Sequence, residues 1–257
     1  MIPFAGGVLD PSRWRILQNV GCLHSTASSN LLAREIVELY FNEEQSLPAT
    51  VLLAEEQPEA RGRGGKAWVA PAGKGLYLTL VRPAAEGEPL SVAPIAAARW
   101  LRDALEVATH VTAGLKWPND LYVGRRKLAG VLSEARTQGE DTYVAVGIGV
   151  NVLGSAASVG VNGATTLEEE AGHPFELAPV LQAVLDGIDR ELAAPQWNRE
   201  VERWERASLH HVGDRMTVLK EGEEIAGEYL GLSPDGFLRL KTAAGEKILS
   251  GGEVKRW

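Results

Sequence analysis

Tyr143-Val144-Ala145-Val146-Gly147-Ile148-Gly149-Val150 is apolar and rich in β-branched residues, interrupted only by alanine and two glycines. That composition reads as a buried central strand, because Val and Ile suit the pleat and glycine permits close packing. Outward from it, residues 49–54 and 75–82 read as further strands. Residues 31–41 and 89–108 carry the apolar spacing of amphipathic helices. Residues 176–192 do so too, with Pro179 tolerable only in the first turn. Thr165 followed by Glu168 has the spacing of a capping box, so helices cluster over 165–207. Strands and helices intermix, which gives an α/β (α+β) class: a mixed sheet with helices covering at least one face.

Past residue 208 the helical spacing stops. Strand-like runs recur at 214–220, 224–232, 237–242 and 246–250, punctuated by Ser233-Pro234-Asp235-Gly236 and Ala243-Ala244-Gly245-Glu246. Hairpin turns at that frequency put four or five strands into about fifty residues, the pattern of a small SH3-like β-barrel. The expected division is a large domain over 1–208 and a C-terminal module over 209–257.

The 257 residues are 45% hydrophobic and 23% charged, ordinary values for a globular chain with a real core. Lys and Arg number 26 against 34 Asp and Glu; the formal charge of −8 and pI near 5.3 have the wrong sign for a general polyanion binder. Cys22 is the single cysteine, so no intrachain disulfide can form, and no N-x-S/T sequon is present. Residues 1–7 lack a basic start and apolar block, and no apolar run approaches the roughly 18 residues of a membrane span. A cytoplasmic protein without a membrane partner is expected. About 25 residues precede the first helix, too few for a helix-turn-helix, so no DNA-binding head is expected.

Candidate chemistry begins in Glu55-Glu56-Gln57-Pro58-Glu59-Ala60-Arg61-Gly62-Arg63-Gly64-Gly65-Lys66-Ala67-Trp68, where three cations stand among three glycines directly after a strand. Glycine lets backbone N–H groups approach a ligand, and Arg61 and Arg63 offer planar forks for a carboxylate or phosphate. A solvated basic loop would carry the same composition. The stretch is not a P-loop: Ala67 follows Gly65-Lys66 where Ser or Thr is required, and Ala60 stands where the first glycine belongs.

Lys116-Trp117-Pro118-Asn119-Asp120-Leu121-Tyr122-Val123, the turn Gly124-Arg125-Arg126, and Lys127-Leu128-Ala129-Gly130-Val131-Leu132-Ser133-Glu134 read as two tightly joined strands. Lys127 opens an apolar strand and is a candidate for a buried site, although a solvated edge lysine is the commoner fate. In His24-Ser25-Thr26-Ala27-Ser28-Ser29-Asn30, the last three residues suit a helix N-cap. The same hydroxyls and amide suit a neutral polar ligand. Gly147-Ile148-Gly149-Val150-Asn151 ends the central strand in an amide, with packing the first role of its glycines.

In order and spacing these segments resemble the biotin protein ligases. The resemblance rests on Glu55-x-Gln57 leading into Arg61-Gly62-Arg63, Trp68, Lys116-Trp117-Pro118-Asn119-Asp120, Lys127-Leu128-Ala129-Gly130, Gly147-x-Gly149-x-Asn151, and Gly251-Gly252-Glu253-Val254. It covers nearly the whole chain and is to the ligase-only class, without a DNA-binding domain. It implies a catalytic fold like that of class II aminoacyl-tRNA synthetases, with ATP and Mg2+ and with biotin as substrate. Two half-reactions follow: adenylation of biotin, then transfer to a lysine of a biotin carboxyl carrier domain. Lys127, Arg61 and Arg63 would be catalytic. Biotin would be held by Ser28, Ser29, Asn30, Gln57, Arg61, Gly62, Arg63, Lys127 and Gly130, and the nucleotide by Arg63, Trp68, Lys116, Asn119, Asp120, Lys127 and Asn151.

The chain departs from the family at Ala60, where glycine is usual, and at Gly64, where arginine is frequent; Ser25-Thr26 competes in register with Ser28-Ser29-Asn30. Magnesium is expected to arrive with the triphosphate, Asp120 being the one candidate protein ligand. The 58–67 loop is expected to be disordered until ligands close it, and a homodimer is compatible with the resemblance. Two rival readings are a lipoate or octanoate enzyme of the same fold and a non-catalytic metabolite-sensing protein. An acyl chain would leave Gln57 and the hydroxyls unpaired, and a scaffold has no chemical need for Lys127.

Overall fold

Along the central strand the side chains alternate. Val144, Val146, Ile148 and Val150 enter the large apolar core, whereas Tyr143 and Ala145 pack into a second, smaller cluster on the opposite face. This strand is β9 (Asp141–Asn151) in a computed structural model that describes residues 1–257, the side chains of 158 and 159 excepted. In chain order β1 (Ile2–Phe4), β2 (Gly7–Leu9) and β3 (Asn19–Ser25) lead to α1 (Ser29–Asn42), β4 (Thr50–Glu56), β5 (Gly75–Pro83) and α2 (Ala93–Thr109). Next come β6 (Gly114–Lys116), β7 (Asp120–Val123), β8 (Arg126–Gln138) and β9, then α3 (Ala156–Val159), α4 (Leu167–Ala171), α5 (Leu177–Ala193) and α6 (Trp197–Arg206). The chain ends with β10 (Arg215–Lys220), β11 (Glu223–Leu232), β12 (Leu238–Thr242), β13 (Gly245–Leu249) and β14 (Glu253–Arg256).

The main sheet has seven strands in the order β3-β4-β5-β9-β8-β7-β6, with β9 at its centre. Only β3 and β4 pair in parallel, joined by the α1 crossover. Helices α2 and α5 cover one face through Ile95, Leu101, Leu105, Leu181, Val184 and Ile188, all fully buried. Each such side chain contributes about 1.5–3 kcal/mol on leaving water. Helix α1 covers only part of the other face, through Ala33, Val37 and Phe41. The uncovered remainder of that face is the floor of the site described below.

The C-terminal strands form a five-stranded antiparallel sheet ordered β13-β12-β11-β10-β14. Among the described residues β13 and β14 form no ladder, so the expected small barrel curves by register shifts at Thr217/Val218 and Tyr229/Leu232 rather than by hydrogen-bonded closure. Helix α6 ties this sheet to the rest: Glu205 accepts from the Leu232 N–H at 2.7 Å and from the Tyr229 hydroxyl at 3.4 Å. The buried Trp117 indole N–H donates to the Gly236 carbonyl at 3.0 Å.

Three local expectations are corrected. Helix α2 starts at Ala93 rather than 89, with Pro94 in its first turn, where a missing N–H costs nothing. The helix cap lies one residue later than expected: Thr166 accepts from the Glu169 N–H at 3.0 Å, while Thr165 instead donates to Glu170. The predicted N-cap at 28–30 has the right position but the wrong chemistry, since Ser28 occupies the N-cap of α1 without any side-chain cap bond. Helix α3, strands β1, β2, β3 and β14, and β6 but for Lys116, lie outside the expected elements, being too short or too irregular in hydropathy to carry a period.

Candidate active site

A cavity of about 880 Å³ opens over the uncovered part of the sheet and is lined by every candidate site residue identified from sequence. Its floor is a row of glycines on neighbouring strands. Gly149 lies opposite Gly130 in β8 and Tyr77 in β5, and Gly147 lies opposite Thr79. Their missing side chains are occupied space: a Cβ on Gly147 would fall 2.2 Å from Asn30 Oδ1, and one on Gly149 2.5 Å from the Trp68 ring. These glycines therefore serve the site, letting Asn30 and Trp68 lie directly on the sheet.

One end of the cavity is neutral and polar. Gln57 is buried, and its Oε1 accepts from the Ser29 N–H at 2.8 Å. Ser29 Oγ lies 2.7 Å from Thr79 Oγ1, which itself donates to Asn30 Oδ1 at 2.5 Å. A hydroxyl has one proton, so Ser29 is the donor to Thr79 and the relay runs Ser29→Thr79→Asn30. It leaves the Gln57 amide nitrogen without a protein acceptor among the described residues; Asn30 Nδ2 makes only a 3.4 Å contact with Glu134. The sequence reading missed Thr79, which is completely buried at the middle of this relay. Its signal was present: Tyr77, Thr79 and Val81 alternate with Leu76, Leu78 and Leu80, and only the latter three enter the large core. The Ser25-Thr26 register is not selected, because neither residue lines the cavity.

The other end is cationic. Lys127 is not a solvated edge lysine: its ammonium pairs with Asp120 at 2.7 Å and lies 5.5 Å from the centre of the Trp68 ring. Its backbone is clamped by a segment that the sequence marked only as a helix start, with Lys127 N–H donating to Gly163 O at 2.7 Å and Thr165 N–H to Lys127 O at 2.9 Å. Lys116 is buried, and desolvation pushes its pKa down to about 8 against the opposing pull of Asp120. Beside it, burial and the Lys116 charge lower His210 to about 4, so its neutral ring accepts from the Trp117 N–H through Nε2 at 3.4 Å.

Arg61 and Arg63 are employed differently. Arg61 is exposed and has no partner among the described residues, whereas Arg63 donates to Gly252 O at 3.2 Å and Lys66 pairs with Glu253 at 2.5 Å. The basic loop thus leans on Gly252 and Glu253 of the C-terminal sheet. Asn119 and Asn151 are both buried, and each spends its amide N–H on the backbone, on Val131 O and on Thr165 O respectively. Both hold the cavity wall in shape and keep their carbonyl oxygens available. No group of three or more His, Cys, Asp and Glu among the described residues is placed to hold a metal ion.

Residues 23–151 match the biotin/lipoate A/B protein ligase family, and residues 211–257 match the biotin protein ligase C-terminal domain. The chain belongs to this ligase family. The ligase is 33% identical to the biotin--[acetyl-CoA-carboxylase] ligase of Paracoccus denitrificans, over 79% of this chain and 88% of that one. It is 26% identical to the bifunctional ligase/repressor of Bacillus subtilis, over 80% of this chain and 66% of that one. Among solved structures, the biotin protein ligase of Aquifex aeolicus in complex with biotin and ATP superposes with a TM-score of 0.73 at 27% identity, over 94% of this chain and 100% of that one. The ligase is an enzyme of mixed α/β fold with a C-terminal β module. Among the described residues no helix is long and apolar enough to cross a membrane.

Proposed function

We propose that this ligase activates biotin with ATP to biotinyl-5'-AMP and then transfers biotin to a lysine of a biotin carboxyl carrier domain of the acetyl-CoA carboxylase type. The observation that carries the reading is the polarity of the cavity. A relay of neutral donors and acceptors (Ser29, Gln57, Thr79, Asn30) faces a cluster of cations (Lys127, Lys116, Arg61) across a glycine floor. The ureido ring of biotin needs the first, and a carboxylate meeting a triphosphate needs the second. A lipoyl or octanoyl chain would offer the buried Gln57 amide nitrogen no acceptor, at a cost of about 1–3 kcal/mol.

In the first step a biotin carboxylate oxygen attacks the α-phosphorus, and the bond to the leaving pyrophosphate breaks. On this reading the Lys127 ammonium, now 2.7 Å from Asp120, leaves it to meet both anions and neutralises charge on the reacting oxygens. In the second step the carrier amine attacks the carbonyl, loses a proton and expels AMP. A magnesium ion fits as an ion carried by phosphate oxygens and water, with Asp120 offering at most one ligand beside Lys127. The division into a catalytic domain over 1–208 and a carrier- or nucleotide-facing module over 209–257 belongs to the same proposal. Biotin-dependent exchange of labelled pyrophosphate into ATP, run beside lipoate and octanoate, tests it. Exchange with octanoate or lipoate but not biotin would move the assignment to the rival acid.

Two further results are expected. Among the described residues the polar links of the 58–67 loop to the C-terminal module are those of Arg63 and Lys66, and biotin with ATP should close the loop further and slow its proteolysis. Cleavage at an unchanged rate would remove the loop from the closing step. Because Lys116 carries its charge only while protonated, kcat/KM for ATP should fall as pH rises through about 8. The limb should flatten in Lys116→Arg, whose guanidinium stays charged; a limb unchanged in that variant would assign it to another group.

A further inference from the structure

Lys116 is a buried cation without an ion pair among the described residues, since Asp120, opposite it in the sheet, pairs with Lys127. Its residue is 8% exposed, and no carboxylate lies within ion-pairing distance of its ammonium among the described residues. Buried charges are ordinarily paired, yet this ammonium rests on two aromatic rings, 4.0 Å from the centre of Trp257 and 4.9 Å from that of Tyr122. Ring faces stabilise a desolvated cation without neutralising it. A cation held in that way in a cavity wall remains available for an anion supplied by a ligand.

Trp257 is itself clamped. Tyr122 meets its ring edge-on at 5.8 Å and His210 does so at 5.9 Å, while the Arg125 guanidinium lies 5.4 Å from the ring. Arg125 also donates to the Trp257 main-chain oxygen at 3.1 Å. Lys116 ends β6 of the main sheet, whereas Trp257 follows β14 of the C-terminal sheet. Lys116 and Tyr122 line the cavity, whereas Trp257 touches both without lining it.

We propose that Trp257 is a positioning residue for the nucleotide: its ring holds the Lys116 ammonium toward the cavity, where it pairs with the phosphates of ATP. This rests on the ATP-dependent reading of the site. It gives the C-terminal sheet a direct part in the first half-reaction, through one side chain that acts on another. An aliphatic side chain of similar reach fills the space behind Lys116 but has no negative ring face, so packing and cation–π contributions are separable.

The test compares Trp257→Leu and Trp257→Phe in the full chain. In biotin-dependent pyrophosphate exchange the leucine variant should raise KM for ATP about tenfold or more, in keeping with a desolvated cation–π contact. Its kcat and its biotin affinity by calorimetry should stay near the parent's, and the phenylalanine variant should restore most of the ATP affinity. A second arm needs no turnover: Lys116 should react faster with an amine-acylating reagent in the leucine variant, as read by peptide mass, and at the parent's rate in the phenylalanine variant. Equal KM values in leucine variant and parent overturn the proposal, as does parallel loss of kcat, biotin binding and ATP binding, which marks a collapsed C-terminal sheet. Unchanged labelling of Lys116 overturns the positioning role of Trp257 whether or not biotin is the substrate, whereas a parent without biotin-dependent exchange refutes the ligase reading alone.

Discussion

Replacing Lys127 by alanine should slow adenylate formation by about 10²–10³-fold, the usual cost of deleting one donor to a developing oxyanion. The fold should survive, because the backbone bonds from Lys127 to Gly163 and Thr165 do not involve its side chain, and because that side chain is already 31% exposed. The loss is larger than that of one charge. Asp120, now held 2.7 Å from the ammonium, would face the incoming carboxylate and phosphates as an unpaired anion. Lys127→Arg should recover only part of the rate, since a planar fork cannot place one compact charge between two acceptors. Single-turnover formation of the acyl adenylate separates this step from transfer. A rate within threefold of the parent would mean that Lys116 or Arg61 supplies the charge instead.

The strands that bury both faces were legible because β-branched runs admit few other readings, and β5 and β9 follow the expected spans within two residues at either end. The edges were not. Strand β3, with Gly21 and His24 and with mostly exposed or half-buried side chains, carries no alternation to read; it is a strand because β4 offers a free edge. At the site, residue types were legible and their employment was not. Ser28 and Ser29 satisfy the composition of an N-cap, and only the tertiary placement of Gln57 and Thr79 turns Ser29 into the cavity. Gly147 and Gly149 likewise match ordinary packing glycines until Asn30 and Trp68 are seen to fill the missing Cβ positions. Trp257 carried no local signal at all, since its partners Lys116, Tyr122 and His210 are distant in sequence.

The same division between sheets makes Arg99 the position with the largest expected effect on stability. Its side chain is 5% exposed on α2 and binds Glu200 of α6 through two bonds, Nε at 2.7 Å and Nη2 at 3.0 Å. It also pairs with Asp103 at 2.7 Å and Glu191 at 3.0 Å. Replacing a whole buried ion pair by apolar groups is often neutral, but removing one member strands the other. In Arg99→Leu, Asp103 and Glu191 are exposed enough to be hydrated; Glu200, with no side-chain exposure, keeps only Arg203 at 3.8 Å. The expected cost is about 4–5 kcal/mol, a fall in Tm of about 10–15 °C for a chain of this size. Glu200→Gln keeps one acceptor oxygen for Arg99, which also retains Asp103 and Glu191, and strands no buried charge; it should cost less than half as much, which thermal melts of the two variants would show. Helix α6 carries Glu205, the anchor of the Leu232 N–H, so loosening its seat on α2 should reach the C-terminal sheet and with it the Trp257–Lys116 contact. Arg99→Leu should therefore lose ATP affinity at temperatures below its own melt, while the Ser29–Thr79–Asn30 end, held by α1 and β5, keeps its affinity for biotin. Loss of both affinities together would instead make the two ends of the cavity one cooperative unit.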